Sequence, residues 1–275
     1  MVASVSKRRD LAEFLCLEVD KAFHRTDKDA LRSDLQDAGI QGALLLPTAP
    51  PNAVREVNER FLATIKGEEW LRTAGTLHPL YTDIDGELER LQEQNVRALK
   101  FSSFSQAIDL GAKETFLLLE KIFAYNNANG WNFFTIWDTF YRADAYFGAE
   151  QRFITSPEKL GCLVAGFPDI DFVGAHMGGL AAPFSDIEKY LLPQKNLYLE
   201  TSNAAHVLSR SEFIKLLKDH GAERILFGTD WPWFGQKQET ALIGNLMNQA
   251  GFSQHEQSRV FSGNISRLLS GETAA

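Results

Sequence analysis

Residues 224–233, RILFGTDWPW, decide the fold because they read as a buried strand that ends in an acid. Three successive apolar residues, ILF, suit a strand that is covered on both faces, as in a parallel sheet packed between helices. Asp230 follows at the end of this strand, and Pro232 turns the chain away directly afterwards. Functional groups in sheets of this kind collect at the carboxyl ends of the strands. The stretch therefore predicts a parallel sheet with a functional acid at its edge.

Short apolar runs alternate with amphipathic helical stretches along the rest of the chain, which indicates repeated βα units. A further strand before the first helix would give eight units in about 250 residues, the size of a (β/α)8 barrel. A doubly wound sheet is disfavoured because no glycine-rich phosphate turn follows an early strand. The predicted strands are 42–46, 72–77, 96–101, 131–137, 169–176, 196–201 and 224–230, and the predicted helices are 27–39, 53–65, 83–94, 113–128, 156–166, 183–191, 209–219 and 237–249.

The predicted fold class is α/β, a single (β/α)8 TIM-type barrel domain over residues 1–275, regular or distorted. Its first strand is assigned to residues 11–23, LAEFLCLEVDKAF, although Leu11, Phe14 and Val19 also follow a helical spacing. We favour the strand because the barrel needs one there. Residues 1–26 are accordingly a variant or remodelled N-terminal segment, and residues 253–269 form an extra C-terminal helix.

Composition excludes several classes of function. The net charge of −8 is spread along the chain without the basic face that nucleic acid requires. The sequence also contains no run of 18 apolar residues, which a membrane span would need. Two cysteines in unrelated contexts and a basic N-terminus without an apolar stretch favour a reducing, cytoplasmic location. The expected partner is a small-molecule substrate, and aromatic residues in the loops suggest a homodimer.

Two side chains should meet at the mouth of the barrel, the edge where the carboxyl ends of the strands lie. His176 ends the predicted sixth strand in FVGAHMGGL, and Asp230 ends the eighth. An imidazole and a carboxylate that converge there can hold a divalent metal or exchange a proton with a water molecule. The alternative is that Asp230 caps a turn and His176 is a satisfied histidine near the core.

Several motifs give the chain a family resemblance. The stretches ILFGTDWPW, AHMGG, NLYLETS, AGTLHPL, GIQGALLLP and GNISRLL resemble motifs of the amidohydrolase-related (amidohydrolase 2) family of metal-dependent (β/α)8-barrel hydrolases, and they follow the family's order along the chain. This family includes aromatic-acid decarboxylases and pyrone-dicarboxylate lactonases, and the resemblance runs from about Leu31 to Leu269. It implies that Asp230 is the general base and often a metal ligand, and that His176 binds metal or substrate.

The chain departs from this family where histidines are expected. The His-x-His pair of the first strand is missing, and the nearest counterparts are Glu18 and Asp20, which suit Mg or Mn better than Zn if they bind a cation at all. Ser102 and Thr135 stand where the fourth and fifth strands should carry histidine. Neither is a good zinc ligand, so the cofactor is either one divalent metal (Zn, Mn or Mg) or none.

Three further residues are predicted to contact the substrate. Lys100, at the end of the fourth strand, and Arg142, in the loop after the fifth, could each hold a substrate carboxylate. His206 lies on the loop after the seventh strand, above the predicted mouth. The aromatic loop around Arg142, with Trp137, Phe140, Tyr141, Tyr146 and Phe147, is either a lid or simply packed on the barrel.

Together these features predict a hydrolase or decarboxylase that acts on a small carboxylated or cyclic substrate such as a lactone or an aromatic acid. Asp230 would be its general acid or base at the barrel mouth. The missing histidines keep a second hypothesis open. In that case the chain is a catalytically degenerate barrel that serves as a binding or scaffolding protein.

Overall fold

The computed structural model describes residues 9–14 and 27–271, which form an α/β fold. Among these residues, no helix combines the length and the apolar character that a bilayer span requires. The strands are β1 (Ala43–Leu45), β2 (Leu71–Thr73), β3 (Gly75–Thr76), β4 (Ala98–Phe101), β5 (Phe134–Trp137), β6 (Phe172–Gly174), β7 (Leu197–Glu200) and β8 (Ile225–Leu226). The α-helices are Arg9–Phe14, Lys28–Asp37, Val54–Ile65, Ile84–Glu93, Ser103–Gln106, Lys113–Asn129, Ala143–Phe147, Pro157–Gly166, Phe184–Leu191, Ala204–Val207, Arg210–His220, Gln236–Ala250, Gln254–Ser258 and Asn264–Ser270.

All strand pairs in the described chain are parallel and follow sequence order. β1 pairs with β2, and β3 to β8 form one sheet in which each strand pairs with the next. β2 and β3 are two parts of one extended segment, separated by Ala74, whose N–H donates to Leu45 O at 2.8 Å. Seven strand positions thus follow one another in a single parallel series, and the α/β prediction is confirmed.

Alternate residues of these strands meet in a common interior. The cluster includes a residue from β1 and one from β8, so the two ends of the series face the same core. The C-terminal helix Asn264–Ser270 adds three side chains to it. The members are Leu44, Ala74, Ala98, Phe134, Ile136, Val173, Tyr198, Leu226, Ile265, Leu268 and Leu269. Intervening strand residues, such as Leu99, Trp137 and Leu199, pack in the larger core with the surrounding helices.

The N-terminal segment differs from the sequence prediction. Arg9–Phe14 is a helix, so the strand predicted over residues 11–23 is wrong for residues 11–14. The helical spacing of the apolar residues decides this part of the segment, and the aromatic ring of Phe14 packs on Tyr146 with centroids 5.0 Å apart. The remainder of the predicted strand, with Glu18 and Asp20, lies outside the described residues.

The C-terminal segment is helical from Gln254 to Ser270, with a π-helical turn at Arg259–Gly263. Ser253 and Glu256 form a capping box that starts it. Asn264 is buried and donates through Nδ2 to the carbonyl oxygens of Ala222 and Ile225, at 2.7 and 2.8 Å. These hydrogen bonds attach the segment to the start of β8.

Burial of His220 predicts a pH-dependent stability. Its side chain is 1% exposed, and burial lowers its pKa from 6.5 to about 4. The unfolded chain therefore binds a proton more tightly than the folded one. The contribution of neutral His220 to the free energy of unfolding is fully present above pH 6.5 and is lost as the pH drops towards 4. The full loss is about 3 kcal/mol.

Urea unfolding of wild type and His220→Gln at pH 7.5 and 4.5 measures this contribution. The glutamine can still donate to Leu197 O, the present partner of His220 Nε2, but it takes up no proton. We expect the variant to lose about 2 kcal/mol less than wild type between the two pH values. An equal loss in both proteins would show that His220 is not the residue responsible.

Candidate active site

The fourth strand places Lys100 and Ser102 on the inner side of the mouth. Ala98 lies in the interior cluster, whereas Leu99 and Phe101 belong to the core shared with the helices. Because side chains alternate along a strand, Lys100 and Ser102 share the inward side with Ala98. Both are buried, and both lie towards the carboxyl end of β4.

Lys100 is a buried residue whose ammonium has no partner among the residues that the structure describes. Lys100 as a whole residue is 7% exposed. Its register neighbours on the two adjacent strands are Thr76 and Ile136, and both are uncharged. Its ammonium makes no hydrogen bond or ion pair with any residue that the structure describes. A cation at the mouth that has no counter-charge in the described chain is able to bind an anionic group.

The fifth strand presents Asp138 to the mouth. The sequence predicts Thr135 at the mouth, in place of the histidine expected on the fifth strand. In the structure Thr135 faces the helix layer instead, where its Oγ1 accepts a hydrogen bond from Trp137 Nε1 at 3.1 Å. Trp137 is fully buried in β5 and is therefore not part of an aromatic lid. Asp138 follows β5 and lies beside Ser102, whose Oγ donates to Asp138 Oδ2 at 3.4 Å.

His176 lies directly after β6, and its ring is held from one side. Nδ1 is 3.0 Å from Ser202 O and 2.9 Å from Ser202 Oγ. Nε2 faces Asp138 Oδ1 at 3.8 Å. This distance is longer than a charge-assisted hydrogen bond, so the two groups lie close without a direct bond. The predicted histidine therefore meets the unpredicted aspartate at the mouth.

The partners of Nδ1 fix the tautomer of His176. Ser202 Oγ donates its only proton to Glu200 Oε2 at 2.6 Å, so this hydroxyl can only accept from the ring. Ser202 O is a carbonyl and also only accepts. Nδ1 therefore carries the hydrogen in the neutral ring, and Nε2 presents its lone pair to the mouth. Glu200 needs a glycine opposite, because a Cβ at Gly228 would collide with its Oε1.

Asp230 lies after β8 and is exposed. Its backbone has a φ of +51°. Its Oδ2 accepts a hydrogen bond of 2.8 Å from Asn203 Nδ2, and Asn203 directly follows Ser202. Two consecutive residues at the exit of β7 thus hold the two predicted acid–base residues, one on each neighbouring strand.

Aromatic residues from several loops cover this end of the barrel. Phe140, Ala143 and Ile154 come from the loop after β5, and Phe234 follows β8. Phe104, Tyr146, Val207 and Trp233 pack against them, together with Phe14 of the N-terminal helix. Arg142 is exposed at the start of helix Ala143–Phe147, where its carbonyl accepts from the N–H groups of Ala145 and Tyr146. Its guanidinium makes no hydrogen bond or ion pair with a residue that the structure describes.

His206 holds a buried acid instead of pointing freely into the mouth. Its Nε2 lies 2.8 Å from Glu239 Oε1, and its ring stacks on Phe234 with centroids 3.9 Å apart. Glu239 is fully buried, and its second oxygen has no hydrogen-bond partner. The described geometry therefore commits the Nε2 of His206 to Glu239, and the predicted substrate contact is left to other atoms of the ring.

Comparisons with known proteins agree with this architecture. A family model described as Amidohydrolase matches residues 51–270. An uncharacterized TIM-barrel protein from Bordetella bronchiseptica superposes with a TM-score of 0.71 at 17% identity, over 97% of this chain and 92% of that one. A 2,6-dihydroxybenzoate decarboxylase from Rhizobium gives 0.63 at 15% identity, over 93% and 92%. An amidohydrolase from Burkholderia multivorans with bound zinc gives 0.64 at 14% identity, over 92% and 91%. No curated protein matches the chain significantly.

The buried pair of His206 and Glu239 predicts a large effect on stability. His206→Ala would leave the buried Glu239 carboxylate without its hydrogen-bond partner, which should lower the free energy of unfolding by about 3 kcal/mol. In Glu239→Gln the neutral amide oxygen can still accept from His206, so the loss should be much smaller.

Urea unfolding at pH 7 of both single variants and of the double variant tests this order. The double variant should be more stable than His206→Ala, since the unpaired charge is gone. A loss below about 1 kcal/mol in His206→Ala, combined with weaker substrate binding, would instead assign His206 to the substrate.

Proposed function

This chain belongs to the amidohydrolase family, and from that membership we propose that it hydrolyses a small carboxylated or cyclic substrate at the barrel mouth. The family makes the chain an enzyme, either a hydrolase or a carboxy-lyase. The structures of low identity show the fold alone, so the choice between these reactions rests on the residues at the mouth. The substrates we have in mind are carboxylated lactones and related esters or amides.

The unpaired ammonium of Lys100 carries this proposal. The fold supplies no counter-charge for it within the described residues, although it does so for other buried charges. A substrate carboxylate would supply that charge in an environment of low dielectric constant, where the attraction is strong. Lys100 lies two residues before Ser102, which contacts Asp138, so a carboxylate on Lys100 would be close to the proton-exchanging groups.

Asp230 is the general acid or base in this proposal. One oxygen is held by Asn203, and the other makes no hydrogen bond with a described residue. In hydrolysis the oxygen of a water molecule bonds to the substrate carbonyl carbon while Asp230 takes one of its protons. The bond to the leaving oxygen or nitrogen then breaks, and Asp230 returns the proton to that atom.

His176 is the second group that can exchange a proton. Its Nε2 lone pair faces the mouth and can accept a hydrogen bond from substrate or water. If Nε2 takes up a proton, the ring becomes a cation beside the Asp138 carboxylate, 3.8 Å away, which stabilises it. Asp138 therefore supports His176, although the sequence did not identify it.

Hydrolysis fits the charge of Lys100 better than decarboxylation does. A carboxylate that leaves as CO2 loses its charge in the transition state, so an ammonium that binds it stabilises the starting state more. In hydrolysis the substrate carboxylate keeps its charge throughout, and an oxyanion that forms at the carbonyl gains stability from a nearby cation. Decarboxylation therefore requires Lys100 to bind some group other than the carboxylate that departs.

The described residues do not by themselves fit the metal that the family implies. Among them, no group of three or more histidine, cysteine, aspartate or glutamate side chains is placed to hold an ion. His176 and Asp230 are the predicted ligands within this part of the chain, and Ser102 stands where a histidine was expected. A metal centre here would need further donors, and the predicted ones, Glu18 and Asp20, lie outside the described residues.

Replacement of Lys100 should separate substrate binding from stability. In Lys100→Met, loss of the buried ion pair with the substrate carboxylate should raise KM by about 30-fold or more. The same change breaks no hydrogen bond or ion pair of the described chain, so the unfolding free energy should stay within about 1 kcal/mol of the wild-type value. Lys121→Met is the matched control, because that lysine is 46% exposed and pairs with Asp85 on the surface.

A screen of lactones and aromatic acids provides the substrate for these measurements. A substrate without its carboxylate should be insensitive to Lys100→Met. If the variant binds and turns over the carboxylated substrate like wild type, Lys100 does not dock it.

Asp230→Asn should lower kcat by about 100-fold to 10,000-fold, because the amide cannot exchange the proton. The effect on KM should be small, since the side chain is isosteric. Steady-state kinetics with the same substrate measure both constants. Undiminished turnover would remove the role we give to Asp230.

A further inference from the structure

Asn203, at the exit of β7, combines three unfavourable features in one residue. Its backbone has a φ of +59°, in the left-handed region that side chains other than glycine occupy at a cost. The residue is 3% exposed, so a polar amide is removed from water. Its Oδ1 is buried and has no hydrogen-bond partner. Features of this kind persist where they serve a function.

The orientation of the Asn203 amide follows from its neighbour. Nδ2 donates to Asp230 Oδ2 at 2.8 Å. Rotation of the amide by 180° would place Oδ1 against the carboxylate, where two acceptors repel each other. Asn203 therefore keeps its Nδ2 on Asp230 while its own Oδ1 stays unpaired. The hydrogen bond to the carboxylate offsets the cost of leaving Oδ1 without a partner.

We propose that Asn203 is the positioning residue of Asp230, an inference that rests on the proposed role of Asp230 as general acid or base. The amide hydrogen bond occupies Oδ2 and so selects Oδ1 as the oxygen that faces the substrate. It also holds the carboxylate in one rotamer, although Asp230 lies on an exposed loop with a φ of +51°. Correct placement of a reacting group contributes to kcat rather than to substrate affinity.

The rest of the β7 exit gives Asn203 a rigid base. Ser202 is fixed by Glu200 through its backbone N–H, at 2.7 Å, and through its hydroxyl, at 2.6 Å. Thr201 Oγ1 bonds to both the N–H and the carbonyl of Gly228, each at 3.2 Å, which ties β7 to the chain just before Asp230. Both ends of the Asn203–Asp230 hydrogen bond are therefore anchored to the same pair of strands.

A swap of the two side chains tests the hydrogen bond without any substrate. Asn203→Asp places two carboxylates together and should lower the urea midpoint of unfolding at pH 7. The double variant Asn203→Asp/Asp230→Asn restores a donor–acceptor pair with its polarity reversed, so its midpoint should lie above that of Asn203→Asp. It should stay below wild type, because the carboxylate now occupies the buried position. Asparagine and aspartate both tolerate a positive φ, which keeps the backbone unchanged. A double variant no more stable than Asn203→Asp would overturn the proposal.

Kinetics of the same variants test positioning. Asn203→Gly keeps a backbone that accepts a positive φ and removes only the amide. It should lower kcat at least 10-fold and change KM less than threefold, on the substrate that wild type hydrolyses. The swapped double variant should stay inactive although it is more stable than Asn203→Asp, because its carboxylate has moved. Equal kcat in Asn203→Gly and wild type would overturn the proposal.

Asn95 supplies the matched control. It has a φ of +56°, nearly that of Asn203, but it is exposed at the end of helix Ile84–Glu93. Asn95→Gly and Asn95→Asp should leave kcat and KM unchanged. If wild type turns over none of the substrates but the swapped variant is more stable than Asn203→Asp, the proposed reaction fails while the Asn203–Asp230 hydrogen bond stands.

Discussion

The hydrogen bonds that leave the exit of β7 organise the whole candidate site. β7 pairs with β6 on one side and β8 on the other, so its carboxyl end reaches the exits of both. Ser202 bonds to His176 after β6, and Asn203 bonds to Asp230 after β8. Parallel strands in sequence order make this possible, since all their carboxyl ends lie at one edge. Two groups 54 positions apart in the chain are thus fixed by two adjacent residues.

Strand positions could be predicted from sequence because fully buried parallel strands are apolar over several residues in a row. The same property hides their register. In WNFFTIW nothing marks which residues face inwards, so the sequence predicts Thr135 at the mouth. Pairing with β4 instead turns Thr135 to the helix layer and brings Asp138 to the exit of the strand. At the N-terminus, helical spacing over residues 11–14 prevailed over the topological argument for a strand. Ser202 and Asn203 were missed because a left-handed backbone at Asn203 leaves no trace in the sequence.

Other buried charged residues in the fold have partners within the chain, and Lys100 differs from them in this respect. Glu87, fully buried, pairs with Arg90 and accepts a hydrogen bond from Asn58. Glu239, also fully buried, pairs with His206. Each of these two buried carboxylates has at least one partner within the chain, although the second oxygen of Glu239 has none among the described residues. Lys100 alone among these buried groups points to the mouth and lacks a partner in the described chain, which distinguishes a ligand-binding charge from a structural one.

Strained backbone conformations are concentrated at the strand exits that form the candidate site. Among the described residues other than glycine, those with positive φ include His176, Met177 and Ala181 after β6, Asn203 after β7 and Asp230 after β8. Each such conformation costs of order 1 kcal/mol or more, and nothing in the packing of a barrel requires them at these exits. The turns instead aim side chains across the mouth, towards groups on neighbouring strands. Asn95, at the end of helix Ile84–Glu93, is an exception away from the mouth. Because most of these residues lie at the candidate site, replacements there that relax the backbone should stabilise the fold and weaken the site. This is the relation expected when geometry at the mouth is selected for reaction rather than for stability.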